Sequence, residues 1–116
     1  MIINGVELSF NLYDVDSVEM QRRYYAELDD MRNIAQEQDK IQGAGEQARF
    51  LCHKIKKLFD NVFGTGTGAA VCGEKDDLMV CMDAYEKLIS EQMRQNKQYQ
   101  AILNRIKRKR NRGVKK

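Results

Sequence analysis

From Glu74 to Arg112 the chain contains neither Gly nor Pro, so nothing in its backbone chemistry stops a single helix over that stretch. Most of such a stretch as one helix would be on the order of 50 Å long at about 1.5 Å per residue. A compact domain of 116 residues has a radius of gyration near 13 Å and is roughly 35 Å across. A helix this long overshoots the domain it belongs to. Its far half must project into solvent, break, or pack on another chain, and each outcome points to assembly or interaction before it points to chemistry.

Charge divides the chain at the same place. Arg105, Lys107, Arg108, Lys109, Arg110, Arg112, Lys115 and Lys116 put eight positive charges in the last twelve residues. That leaves 12 bases against 17 acids in residues 1–104, a net of −5. A mildly acidic body with a strongly basic end can meet nucleic acid, an anionic surface, or the acidic face of a protein, including a second copy of itself. No aromatic residue follows Tyr99, so stacking on single-stranded bases has no support. No helix-turn-helix pattern precedes the basic end. A solvated tail and an acidic protein partner remain alongside nucleic acid as readings of this segment.

The chain is expected to form one domain, 1–104, with the basic tail at 105–116. The start, Met1-Ile2-Ile3-Asn4-Gly5-Val6, places Asn-Gly between β-favouring residues, the signal for a type I′ hairpin. Val6, Leu8, Phe10 and Leu12 alternate with Glu7, Ser9 and Asn11, which predicts one apolar face within a hairpin region spanning 1–13. A first helix is predicted from Asp16 or Ser17 to about Ile41. Asp16 and Glu19 resemble a capping box, and Val15 and Met20 a hydrophobic staple. Its inner stripe is Tyr24, Leu28, Met31 and Ala35, with Tyr25 and Ile34 beside it. A second helix runs from about Gly45 to Val62, with Ala48, Leu51, Cys52, Ile55, Leu58, Phe59 and Val62 facing the core. Gly64, Gly66, Gly68 and Gly73 predict a flexible loop. The third helix opens at Asp76 and Asp77, where negative charge suits the helix dipole. The fold class is thus mainly α: a hairpin and three helices, the last long and coiled-coil-like.

In that last helix Leu78, Met82, Tyr85, Ile89, Gln92, Asn96, Tyr99, Leu103 and Ile106 follow one another at alternating spacings of four and three, a heptad seam with polar residues at its middle. The N-terminal half is expected to serve the chain's own core and the C-terminal half another molecule, with Gln92 and Asn96 at the changeover. Tyr85, Ile89, Tyr99, Leu103 and Ile106 are the expected partner or oligomer contacts.

Motifs for chemistry are weak. Gly64, Gly66 and Ala69 match G-x-G-x-x-A, but a helix precedes them where the dinucleotide motif needs a strand. Gly68 to Gly73 imitates the opening of a phosphate loop, but Glu74 stands where Lys is required. Cys52 and His53 diverge by about 100° on a helix and no paired cysteine motif accompanies them, so zinc and Cys–His catalysis are disfavoured. Asp29-Asp30 and Asp76-Asp77 read as solvated or helix-starting acids. No cofactor, metal or enzymatic activity is expected. Cys52, Cys72 and Cys81 are an odd count, and Cys52 and Cys81 fall at apolar helix positions, which fits free buried thiols in a reducing compartment. No secretory leader and no membrane span is legible, so the cytoplasm is the expected location.

Met1-Ile2-Ile3-Asn4-Gly5-Val6-Glu7-Leu8-Ser9-Phe10, followed by Tyr13-Asp14-Val15-Asp16 and a charged helix, resembles small proteins of tailed phages and prophages of Gram-positive bacteria. So does Leu58-Phe59-Asp60-Asn61-Val62-Phe63-Gly64-Thr65-Gly66-Thr67, with Asp83-Ala84-Tyr85-Glu86 beyond it. The likeness covers roughly residues 1 to 90 and excludes the basic end. It is similar to tail-assembly chaperones, and implies a self-associating helical factor that holds the tape-measure protein, a long helical client, until tail-tube protein polymerises around it. Met79, Met82 and Met93 suit adaptable contact with such a client. The alternatives are a structural component of the virion or of tail completion, and a nucleic-acid-binding accessory protein.

Overall fold

The computed structural model describes residues 1–114; Lys115 and Lys116, counted above in the basic tail, lie outside the described residues. It is mainly helical with an N-terminal hairpin and a long last helix. β1 (Ile2–Ile3) pairs antiparallel with β2 (Val6–Glu7), in the register Ile2↔Glu7 and Ile3↔Val6. Asn4 and Gly5 sit at φ of 51° and 84°, the two positive values that a type I′ turn demands and that this pair supplies cheaply. Beyond the two strand pairs the Leu8 N–H still donates to the Met1 carbonyl at 2.7 Å, and the period-two pattern runs further: Leu8, Phe10 and Leu12 are buried while Ser9, Asn11 and Tyr13 face out. Ile3 also enters the core.

The helical part begins with a 3-10 turn, Val15–Ser17, leading into α1 (Val18–Asp30). Asp14, not Asp16 or Ser17, supplies the capping carboxylate, its Oδ1 accepting from the Asp16 N–H at 2.9 Å. The 3-10 turn swings Val15 into solvent at 81% exposure, so the expected staple with Met20 does not form. A second 3-10 turn, Met31–Asn33, separates α1 from α2 (Ile34–Asp39), where one continuous helix was expected. Three residues at the tighter 3-10 pitch rotate everything after them by roughly 60° relative to an unbroken α-helix. That rotation brings Ile34 and Gln38 towards the body and leaves Ala35 outside. The interruption therefore exchanges a small apolar residue for a larger one at the packing face.

α3 (Ala44–Phe63) matches the sequence reading within a residue, with Cys52, Ile55, Leu58, Phe59 and Val62 buried. The glycine-rich segment does not. It folds into a further helix, α4 (Thr67–Cys72), laid against α3 with Gly68, Val71 and Cys72 buried. Gly68 shows why. A Cβ there would stand 2.3 Å from the carbonyl oxygen of Lys56, so only a residue without a side chain lets the two backbones meet. The glycine that reads as a helix breaker is a packing device.

α5 (Leu78–Val114) follows and spans 37 residues. It passes through positions 104 and 105 without interruption. The molecule measures 68 × 29 × 23 Å with a radius of gyration of 18.1 Å, well above the value of about 13 Å for a compact chain of this length. The core is one cluster shared by the hairpin arm, α1, α3, α4 and the first third of α5. No helix among the described residues is long and apolar enough to cross a membrane.

Candidate interaction surface on the long helix

α5 starts where Asp77 caps it: its Oδ1 accepts from the N–H groups of Met79 at 3.1 Å and Val80 at 3.3 Å. Asp76, expected to share that role, does something else. Its carboxylate lies 3.2 Å from Lys56 Nζ, 3.2 Å from His53 Nε2 and 3.8 Å from Arg49 Nε, all on α3. The hydrogen bond from Lys56, helped by the charges around it, holds the Asp76 carboxyl below the usual range. Lys56 also donates to the carbonyls of Glu74 at 3.4 Å and Lys75 at 3.0 Å, so one ammonium straps the α4–α5 connection onto α3.

The inward face of α5 is Cys81, Ala84 and Leu88, all fully buried. It lies one position away from the expected seam, because the small Cys81 and Ala84 allow close approach to α3 and α4. Tyr85 and Ile89 border this face and are half-buried against the core, while Met82 turns outward. The polar residues that follow are partners within the chain. The Tyr24 hydroxyl, buried in α1, donates to Gln92 Oε1. Gln95 donates through Nε2 to the Phe10 carbonyl at 2.6 Å and accepts from the Leu12 N–H at 2.8 Å. Its amide thus supplies the backbone pairing that the arm loses after Leu8. Tyr13 donates to Asn96 Oδ1 at 2.7 Å and its ring stacks on Tyr99, centroids 4.7 Å apart and 12° from parallel. Past Tyr99 no hydrogen bond, ion pair or ring contact ties α5 to the body among the described residues.

Two unpartnered surfaces result. On the outward side of the proximal half, Met79, Met82, Asp83, Tyr85, Glu86, Ile89, Ser90 and Met93 line an open groove. Met79 is 75% and Met93 64% exposed, and with Met82 they make the exposed apolar side chains contiguous along this face. Beyond the Tyr13–Tyr99 stack, Ile102 and Ile106 continue the inward face at roughly 100° per residue; Ile102 borders a small cavity with Phe10, Asn11 and Tyr13, and Ile106 is 48% exposed. Leu103, half-buried, lies beside them. Arg105, Arg108, Lys109 and Arg112 form a basic cluster on that distal turn, and Lys107 and Arg110 are exposed around it. Of the expected contacts, Tyr85 and Ile89 therefore stand at the groove, Leu103 and Ile106 on the distal strip, and Tyr99 in the stack with Tyr13.

Elsewhere the weak motifs acquire structural roles. The N–H groups of Gly66 and Gly68, which a phosphate loop would offer to a ligand, donate to Asp60 Oδ1 at 3.1 and 2.7 Å. A carboxylate of the chain occupies the place a phosphate would take. Cys52, Cys72 and Cys81 are buried and free, one each on α3, α4 and α5. Burial pushes the Cys52 thiol up to about 12 and raises the other two, so the thiolate that nucleophilic chemistry requires is scarce near neutral pH. No group of three or more His, Cys, Asp or Glu among the described residues is arranged to hold a metal ion.

Sequence reasoning missed Gly68, Gln95 and the Asp76–Lys56 strap. For Gly68 a signal was present: Thr67 to Cys72 carries no helix-breaking residue but Gly68 itself, and ends in the apolar pair Val71-Cys72. For Gln95 there was none, since its partners are backbone groups more than 80 residues away. No curated protein and no solved structure matches the chain. Residues 4–116 match the model of a family of unknown function (DUF6673), and the chain belongs to that family.

Proposed function

We propose that this chain is a non-catalytic, tail-assembly-chaperone-like factor of a phage or prophage, acting in the host cytoplasm by holding a helical client such as a tape-measure protein. The observation that carries the proposal is the outward groove of α5. It presents flexible methionines and Ile89 along one helical face, which is how a protein accommodates an amphipathic helix of variable sequence. The body beneath it is built to keep that face straight: α5 is capped by Asp77, buried through Leu88 and tethered through Gln95 and Tyr99. The resemblance of the hairpin and of residues 58–67 to phage tail-morphogenesis proteins supports the same reading.

Co-expression tests it. The full chain, produced with the tape-measure protein of the same phage or prophage, is expected to keep that protein soluble and to co-purify with it. Met82→Lys with Met93→Lys is expected to abolish both effects without changing the helical circular dichroism. A tape-measure protein that aggregates equally with and without the chain refutes the proposal.

The basic distal turn favours a second reading, a structural component that stays in the particle. Mass spectrometry of purified particles separates the two, because a chaperone leaves and a component remains. Binding of random duplex DNA that weakens steeply with salt would instead assign the distal turn to nucleic acid.

A further inference from the structure

The two unpartnered surfaces of α5 differ in a way that makes them complementary. The proximal groove carries two carboxylates, Asp83 and Glu86, and no base among its lining residues. Asp83 is within 2.9 Å of Lys87, but Glu86 is exposed and joins no ion pair among the described residues. The distal strip carries Ile102 and Ile106 flanked by Arg105 and Lys109, with Arg108 and Arg112 further round the helix. No Asp or Glu follows Glu91 in the whole chain. The distal half therefore has no acid of its own to meet. Two distal halves side by side in parallel would set one basic block on another. In antiparallel fashion they would set it against Lys97, Gln98 and Gln100, again with no acid.

The groove and the strip also lie on different sides of the helix. At roughly 100° per residue, Met79, Glu86 and Met93 fall nearly opposite Ile102 and Ile106. A straight pair of helices related by a two-fold axis cannot present the groove at one end and the opposite face at the other. Each chain thus offers one socket and one plug that do not coincide, the arrangement of a head-to-tail contact.

We propose that a second copy of this chain occupies the groove: the distal turn of one α5 seats Ile102 and Ile106 among the methionines of the next, with Arg105 and Lys109 reaching Asp83 and Glu86. Repetition of that contact builds a ring or a filament and does not stop at a dimer. This deepens the assembly role proposed above for α5 and makes the groove a site for which client and neighbour compete.

The test uses the full chain in size-exclusion chromatography with light scattering at low and high salt. The wild type is expected to elute above twice the 13.5 kDa of one chain at low salt and to shrink as salt screens the contact. Met82→Arg with Met93→Arg closes the socket; Arg105→Gln, Ile106→Gln and Lys109→Gln together remove the plug. All of these positions are exposed, and circular dichroism verifies that each variant stays helical. Each variant alone is expected at the mass of a single chain. Mixed, they retain one intact socket and one intact plug between them and are expected to form a one-to-one complex. A wild type that is monomeric or a closed dimer at low salt overturns the proposal, as does a mixture that remains monomeric. A monomeric wild type that still solubilises a tape-measure protein would overturn self-docking and leave the client reading standing. An assembling chain that solubilises none would do the reverse.

Discussion

Gly68→Ala is the most exacting check on how the body is built. The added methyl would lie 2.3 Å from the Lys56 carbonyl oxygen, 2.7 Å from its Cα and 2.8 Å from its carbonyl carbon. Ordinary van der Waals contact begins near 3.4 Å, so α4 must retreat from α3 by about 1 Å. All three opposing atoms are backbone, and no rotamer change relieves the clash. Retreat loosens Val71 and Cys72, which are buried in the same junction as Cys52 and Cys81. Overpacking of this kind costs typically about 1–3 kcal/mol. Replacing Gly by Ala inside a helix returns about 0.5–1 kcal/mol. The net expectation is a loss of about 1 kcal/mol. With a urea slope of about 1–3 kcal/mol/M, the midpoint of unfolding falls by about 0.5 M at unchanged slope, read by far-ultraviolet circular dichroism. Gly45→Ala is the internal control: it also lies in a helix, meets no atom within 4 Å, and is expected to be neutral or slightly stabilising. A Gly68→Ala protein as stable as the Gly45→Ala protein would refute the close approach of α3 and α4 and, with it, the account of the glycine-rich segment.

Other perturbations probe the supports of α5. Gln95→Ala strands the part-buried Phe10 carbonyl and Leu12 N–H and is expected to destabilise by about 1–3 kcal/mol; amide exchange at Leu12 should accelerate, and unchanged exchange would mean that water already serves those groups. Asp76→Asn tests the strap through its pH dependence. The Asp76 pKa is lowered in the native state, so its stabilising contribution is present above the ordinary carboxyl value of 3.8 and is lost as pH falls through the lower native value. The stability difference between wild type and Asp76→Asn should accordingly narrow as acid unfolding is followed below pH 3.8, and a constant gap would contradict the pairing. The thiols of Cys52, Cys72 and Cys81 should react with an aromatic disulfide reagent only after denaturant is added; rapid labelling of the native protein would show that the α3–α4–α5 junction opens.

Much of the architecture was legible in residues 1–112 because it rests on local rules. Asn4-Gly5 dictates its turn by φ alone. The three-and-four spacing of Cys52, Ile55, Leu58, Phe59 and Val62 selects α3 and its buried face. The stretch without Gly or Pro permits a helix longer than its domain, and the separation of acid body from basic end is a property of composition. The neighbourhood of Leu103 and Ile106 was legible for the same reason: they lie beyond the Tyr13–Tyr99 stack, where helical geometry by itself says which residues are neighbours.

What only the tertiary structure decided are the contacts in which one backbone meets a distant partner. Gly68 reads as a hinge until Lys56 is seen against it. Gln92 and Asn96 read as a break in a seam until Tyr24 and Tyr13 are found at their amides. Asp76 reads as a helix-starting acid until Lys56 reaches it from α3. The inward face of α5 turned out to be Cys81, Ala84 and Leu88, since close packing rewards small side chains where two helices and a third converge. Periodicity ranks residues by hydrophobicity along one axis, whereas packing chooses among neighbouring faces by shape, and shape belongs to the assembled fold.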